Sequence, residues 1–305
     1  MPDTPQPPRP PRPHLAPVRR PTPAPEAPVP APGAHPPRKG GDLVSRLVTG
    51  VVLAGVAIGL GVIGPPALLV LLVALVGVAQ GEFYLAVRKA GYQPATALGL
   101  VAGATLLVAA YRRGESVVPV VAFLTLALAF VWHAWGREKG RALADLAVTM
   151  LGVAYIPLLA SFAAAALHLH KGRGILLATI GAAAIYDIAA YFGGRSFGHN
   201  PLAPRISPKK TREGAAIATV AVIVLSAMIA PLLGPWGIGG AALLGALVAL
   251  AAPLGDLFES VLKRDLGIKD MGSILPGHGG VLDRIDAIVF CMPVAYLSLR
   301  VFGLR

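Results

Sequence analysis

Two charged stretches interrupt an otherwise apolar chain, and their residues suit phosphate chemistry. The first, GGRSFGHNPLAPRISPKKTREG (193–214), sets Arg195, Arg205, Lys209, Lys210 and Arg212 against one acid, Glu213. Part of this excess is the ordinary positive charge of a loop between membrane spans. That explanation covers the sign of the charge but not Ser207, Thr211 or the glycines. Adjacent lysines just before a helix start grip phosphate, with hydroxyls and free backbone N–H groups assisting. The second stretch, KRDLGIKDMGSILPGHGGVLDR (263–284), holds Lys263, Arg264, Lys269 and Arg284 around a glycine-rich turn. Gly277, Gly279 and Gly280 allow the backbone to approach a ligand closely. His278, in their midst, could bind phosphate, act as acid–base or hold the loop.

Acids inside apolar runs need partners, because a carboxylate in a span costs at least about 2.5–3.5 kcal/mol. Asp187 sits one helical turn before Tyr191, so the two share a face. Asp256, Ser260 and Lys263 follow at i, i+4 and i+7 and form a polar stripe. Asp283 and Asp286 open the next apolar run, and either could serve as a helix cap, as could Asp265. Glu82 and Asp145 have no motif around them, and structural pairing accounts for both. Asp256 and Asp283, at the end of one helix and the start of the next, would face each other across a returning loop. Two carboxylates with open oxygen positions suit Mg²⁺, which keeps waters and takes substrate phosphates. Metal, cations and glycines together are the equipment of a phosphate-transferring site.

The elements that position these residues are membrane helices. Of the 305 residues, 55% are hydrophobic and only 14% charged, against about 25% in soluble domains. The mean hydropathy is +0.68. Apolar runs fall at 43–63, 66–87, 94–111, 117–135, 142–169, 174–192, 214–234, 237–262 and 286–303. Most have the roughly 17 to 25 residues a spanning helix needs, and 142–169 and 237–262 are longer, so the fold is all-α and polytopic, with about nine transmembrane helices. That count puts 21 Lys and Arg on the side of the N-terminus and 6 on the other. The positive-inside rule then makes the N-terminus and both charged loops cytoplasmic, with the C-terminus on the far side of the cell membrane. The net charge of +12 is spread between spans and forms no dense patch, so nucleic acid is not expected. Residues 1–42 are a Pro- and Arg-rich tail, expected to be disordered, and 43–305 form the membrane domain. The one cysteine, Cys291, lies in an apolar run and reads as a buried hydrophobe; disulfide and zinc frameworks are excluded.

The stretch Ser260-Val261-Leu262-Lys263-Arg264, then Lys269-Asp270, Pro276-Gly277-His278-Gly279-Gly280 and Asp283-Arg284-Ile285-Asp286, resembles the signature of the phosphatidate cytidylyltransferases (CDP-diacylglycerol synthases). Asp187, Tyr191, Gly194, Arg195 and Gly198, with Ser207-Pro208-Lys209-Lys210-Thr211, Glu213 and Gly214, are similar to that family's upstream block. The likeness covers about residues 180–290. The chain departs from the family at Arg212, where Trp is usual, and at Ile188, where Thr or Ser is common. The resemblance implies that CTP and phosphatidate give CDP-diacylglycerol and pyrophosphate in the bilayer. Asp256 and Asp283 would then hold Mg²⁺ or another divalent cation, with Asp270 as a third ligand or the partner of Lys269. Lys209 and Lys210, with Ser207 and Thr211, would bind phosphate. Lys263, Arg264 and Arg284 would offset charge on the leaving pyrophosphate. Lys269, His278, Gly279 and Gly280 would complete the substrate site. A homodimer is compatible with the family, although no span shows a decisive small-xxx-small seam.

Three other readings compete. A secondary transporter shares the many spans and the intramembrane acids, yet its polar residues would collect at the midplane and not at one face. A CTP-using enzyme acting on another lipid alcohol fits the SPKKT-like loop less well. A CDP-alcohol phosphotransferase would carry a D-G-x-x-A-R core, which this chain lacks.

Overall fold

The computed structural model describes residues 55–56, 59–135, 142–274 and 279–301. The expected tail at 1–42, most of the expected span at 43–63, the loop cations Arg137, Lys139 and Arg141, and Pro276, Gly277 and His278 lie outside the described residues.

Helix α1 (Pro65–Lys89) starts with Pro65 at its first position, where a missing N–H breaks no ladder bond. Arg88 and Lys89 close it, facing the partial negative charge of the last carbonyls. Helices α2 (Thr96–Arg113) and α3 (Val118–Trp135) form a stretch of 40 residues, interrupted by a 3₁₀ turn at Gly114–Val117. Unbroken, 40 residues would extend about 60 Å, twice the hydrocarbon thickness of a bilayer. Helix α4 (Ala142–Val153) runs through a π-helical turn (Ala154–Leu158) into α5 (Leu159–Leu167). Pro157 lies inside that turn and has no N–H for the regular ladder. Then follow α6 (Gly172–Phe197), α7 (Arg212–Leu233), α8 (Ile238–Asp265) and α9 (Leu282–Val301).

The chain is thus a helical integral membrane protein. Among the described residues, six helical stretches are long and apolar enough to cross a membrane: α1, α2 with α3, α4 with α5, α6, α7 and α8. Eight of the nine expected helices occur among the described residues. The all-α expectation holds, with one small sheet added. Pro201–Ala203 (β1) and Ser207–Thr211 (β2) pair as an antiparallel hairpin within the first charged loop, with Pro201 opposite Thr211. Three prolines and three cations within residues 201–211 hid the short strand pattern in that segment.

Apolar side chains point both ways, as a bilayer allows. Phe123, Leu126 and Phe130 on α3 and Val220 and Leu232 on α7 are exposed, and lipid is their natural solvent. The interior is built on small residues: Ala164 of α5, Ala178 and Ala182 of α6, Ala218 of α7 and Ala252 of α8 are buried, which lets helices approach closely. Helix α6 packs on α7, α7 on α8 and α8 on α9. The 28 residues of α8 extend about 42 Å, beyond a hydrocarbon core of about 30 Å. Its last turns, with Glu259, Lys263 and Arg264, therefore reach the polar boundary.

Candidate active site

The first charged loop is a compact device with its own internal bonds. Thr211 caps α7, its Oγ1 accepting the Gly214 N–H at 3.2 Å. The Glu213 carboxylate accepts the backbone N–H groups of His199 (3.1 Å) and Asn200 (3.2 Å) and the Asn200 side-chain amide (2.7 Å). A Cβ at Gly214 would lie 2.7 Å from the Ala190 carbonyl and 2.9 Å from Gly194 Cα, so α6 and α7 cross here only because both positions are glycine. Of the expected phosphate-binding residues, Thr211 is thus engaged in capping α7. Ser207, Lys209 and Lys210 remain to face ligands.

Under the hairpin lies a cavity of about 480 Å³. Asp187 and Tyr191 from α6, Lys209 and Lys210 from β2 and Pro253 and Asp256 from α8 line it. The Lys210 ammonium is bound directly to Asp256 Oδ2, and Ser260 Oγ approaches Asp256 Oδ1 at 3.4 Å. Arg195 donates to the Tyr191 hydroxyl at 3.3 Å. Ser207 also borders a second cavity of about 470 Å³, whose walls include Ser260, Lys263, Arg264 and Lys269. Arg264 Nε donates to the Ile206 carbonyl at 3.3 Å and ties the hairpin to the end of α8. The two cavities share β2 as a wall, and among the described residues no acid lines the second.

Behind the second cavity the side chains form a buried ionic row. The Lys263 ammonium lies between Glu259 Oε2 (2.5 Å) and Asp283 Oδ1 (2.9 Å). Asp283 also accepts the N–H groups of Gly280 (2.8 Å) and Met271 (3.1 Å), and so fastens the loop between α8 and α9. Asp286 lies against Glu259. Glu82, from α1, accepts the Leu282 N–H at 3.0 Å. There is no room for a Cβ at Gly272 or Gly280, because it would strike the Glu82 carboxylate. Gly279 has φ +83°, and the carboxylates of Asp270 and Asp283 flank it. Arg284 is exposed at the start of α9.

The residues singled out by sequence therefore fall into two groups joined by α8. Asp187, Asp256, Ser207, Lys209, Lys210 and Thr211 surround the first cavity. Lys263, Arg264 and Lys269 surround the second, with Asp283 held by Lys263 behind it. Asp256 and Asp283 both lie within electrostatic reach of the Tyr155 hydroxyl. Among the described residues no three His, Cys, Asp or Glu side chains converge as a metal site, so Asp270 does not complete a three-ligand set. The donor chemistry nevertheless fits a cation. An ammonium group stands directly against Asp256, and another against Asp283. Sequence reasoning passed over Glu259 and Tyr155. Glu259 was signalled by its i, i+4 spacing to Lys263; Tyr155, in an apolar run far upstream, carried no local sign.

Lysines, arginines and carboxylates thus gather around two adjoining cavities at the ends of apolar helices, an arrangement that suits phosphate groups. More particularly, residues 44–302 match the model of the Cytidylyltransferase family, and the chain belongs to that family. It is 34% identical over 282 residues to the phosphatidate cytidylyltransferase of Mycobacterium leprae, covering 86% of this chain and 89% of that protein. The protein of the same name from Mycobacterium tuberculosis (strain H37Rv) is 33% identical over 278 residues, covering 86% of this chain and 84% of its own length. That of Brucella suis is 44% identical over 117 residues, covering 38% of this chain and 43% of its own length.

Proposed function

We propose that this protein joins CTP to phosphatidate at the cytoplasmic face of the cell membrane, giving CDP-diacylglycerol and pyrophosphate. The observation that carries the reading is the Lys210–Asp256 pair, set beside Asp187 in a cavity that adjoins a second, purely basic one. The lipid phosphate is already ionised near neutral pH and needs no general base. One of its oxygens attacks the α-phosphorus of CTP. The bond from that phosphorus to the oxygen bridging to the β-phosphorus breaks, and its electron pair leaves with pyrophosphate.

The chain's residues divide this work. Lys209 and Lys210, with Ser207 at the shared wall, hold the lipid phosphate against the α-phosphate. Lys263, Arg264 and Lys269 hold the β- and γ-phosphates, and with Arg284 offset the charge that gathers on the leaving group. Tyr191, Phe192 and Leu254, exposed next to the first cavity, give the acyl chains an apolar exit. Asp256 and Asp283 would hold a divalent cation, which when bound supplies neutralising charge to the triphosphate. His278, between Gly277 and Gly279 in the sequence, is assigned to substrate binding.

The test is purified protein with labelled CTP, phosphatidate and Mg²⁺. The expected result is labelled lipid and pyrophosphate in equal amounts, with turnover abolished in Asp256→Ala and Asp283→Ala. Wild-type rates in either variant would overturn the metal assignment, and solute transport without lipid product would overturn the reaction.

A further inference from the structure

Helix α9 opens at Leu282, and the first N–H groups of a helix have no partner within it. Val281, the residue before, has no polar side chain with which to cap the helix. The Leu282 N–H is met instead by Glu82 Oε2 at 3.0 Å, delivered from α1. Glu82 is 2% exposed and Leu282 fully buried, so water does not stand in for this bond. The backbone closes tightly around the same carboxylate. A Cβ on Gly272 would strike Glu82 Oε1, and one on Gly280 would lie 2.6 Å from Oε2 and 2.8 Å from the Gly272 nitrogen. The next residue of α9 is Asp283, which accepts the N–H groups of Gly280 (2.8 Å) and Met271 (3.1 Å) and the Lys263 ammonium (2.9 Å). Glu82 and Asp283 thus hold the same two backbone segments, 271–272 and 280–282. A carboxylate within a span costs more on insertion than a helix cap returns. Stability alone therefore does not account for an acid at position 82, and what its bond fixes is the first turn of α9, which carries Asp283.

We propose that Glu82 is a positioning residue: by capping α9 from α1 it aims the Asp283 carboxylate at Lys263, beside the basic cavity. This rests on the reaction proposed above, because the aim of Asp283 matters to turnover only if that acid takes part in phosphate transfer.

The experiment compares Glu82→Met with Glu82→Gln. Both keep the length of the side chain, and only Gln keeps an oxygen that can accept the Leu282 N–H. In Glu82→Met, kcat is expected to fall about 10-fold, equivalent to about 1.4 kcal/mol, and in Glu82→Gln by less than about threefold. Gly272→Ala probes the same contact without touching Glu82: its methyl group displaces the carboxylate and should lower kcat as Glu82→Met does. Amide hydrogen exchange of the purified proteins in detergent is the second readout. The amides of Met271, Gly280 and Leu282 should exchange faster in Glu82→Met and as in wild type in Glu82→Gln, with the hairpin between α6 and α7 unchanged in both. Wild-type kcat in Glu82→Met or Gly272→Ala, a loss in Glu82→Gln equal to that in Glu82→Met, or faster exchange throughout the protein would overturn the proposal. If the wild-type protein makes no lipid product, the reaction above fails instead. Exchange alone then judges the cap: acceleration confined to those three amides in Glu82→Met upholds it, and wild-type exchange there overturns it.

Discussion

Lys210 and Lys263 each contact a carboxylate, yet the two pairs should behave differently on mutation. The side chains of Lys210 and Asp256 are 28% and 34% exposed, so solvent already screens their charge. Pairs of that kind contribute at most about 1 kcal/mol to stability. Lys263 is 17% exposed, while Glu259 and Asp283 are only 1% and 5% exposed. Removing it leaves buried acids without a counter-charge, which costs about 3–5 kcal/mol. Lys210→Ala is therefore expected to unfold within about 1 kcal/mol of wild type while losing about 10²–10³ in turnover. Lys263→Met is expected to lose both turnover and stability. Denaturant unfolding in detergent, beside the CTP assay, separates the two outcomes. At this scale most of the site was legible. The Asp256, Ser260 and Lys263 stripe follows from helical spacing alone, whereas Tyr155 approaches Glu259 only through packing between helices distant in sequence.

The hairpin between α6 and α7 shows where element-level reading fell short. Its sequence predicted a loop, because Pro201, Pro204 and Pro208 argue against a strand. A two-strand ribbon is marginal by itself. This one is held at both ends, by Glu213 at the base and by the Arg264 bond to Ile206 at the tip. Glu213 touches neither cavity. Glu213→Ala is expected to leave the thermal midpoint nearly unchanged while raising KM for CTP, since the hairpin that carries Ser207, Lys209 and Lys210 loses its anchor. Gly214→Ala should act differently. A methyl group forced between α6 and α7 is expected to destabilise the protein by about 1–3 kcal/mol, read from denaturant midpoints.

For the whole molecule, hydropathy alone foretold a helical membrane protein, and the ends of eight helices fell within a few residues of the apolar runs. The 40-residue apolar stretch divides where Gly114 turns the chain, close to the expected break. The structure also separates two ends of the bundle. Tyr296 bonds Glu115 at the turn between α2 and α3, and it lies 13 positions beyond Asp283 on one helix, about 20 Å along the axis. Glu115 and the ionic row are therefore at opposite ends of α9. Lys269→Cys and Ser116→Cys are expected to react with a membrane-impermeant maleimide from opposite faces of intact cells or vesicles. Cys291 is fully buried and gives no background. Labelling of both from one face would sink the proposed orientation.

Glu82 and Leu282 are 200 positions apart, yet one hydrogen bond joins them at the glycine turn. Synthesis proceeds from the N-terminus, so α1 enters the membrane long before the chain that it steadies exists. Its acid lacks the Leu282 N–H until α9 arrives and docks. Assembly of this fold thus closes with a bond between α1 and α9, and a nascent chain halted before α9 lacks the N–H that Glu82 accepts.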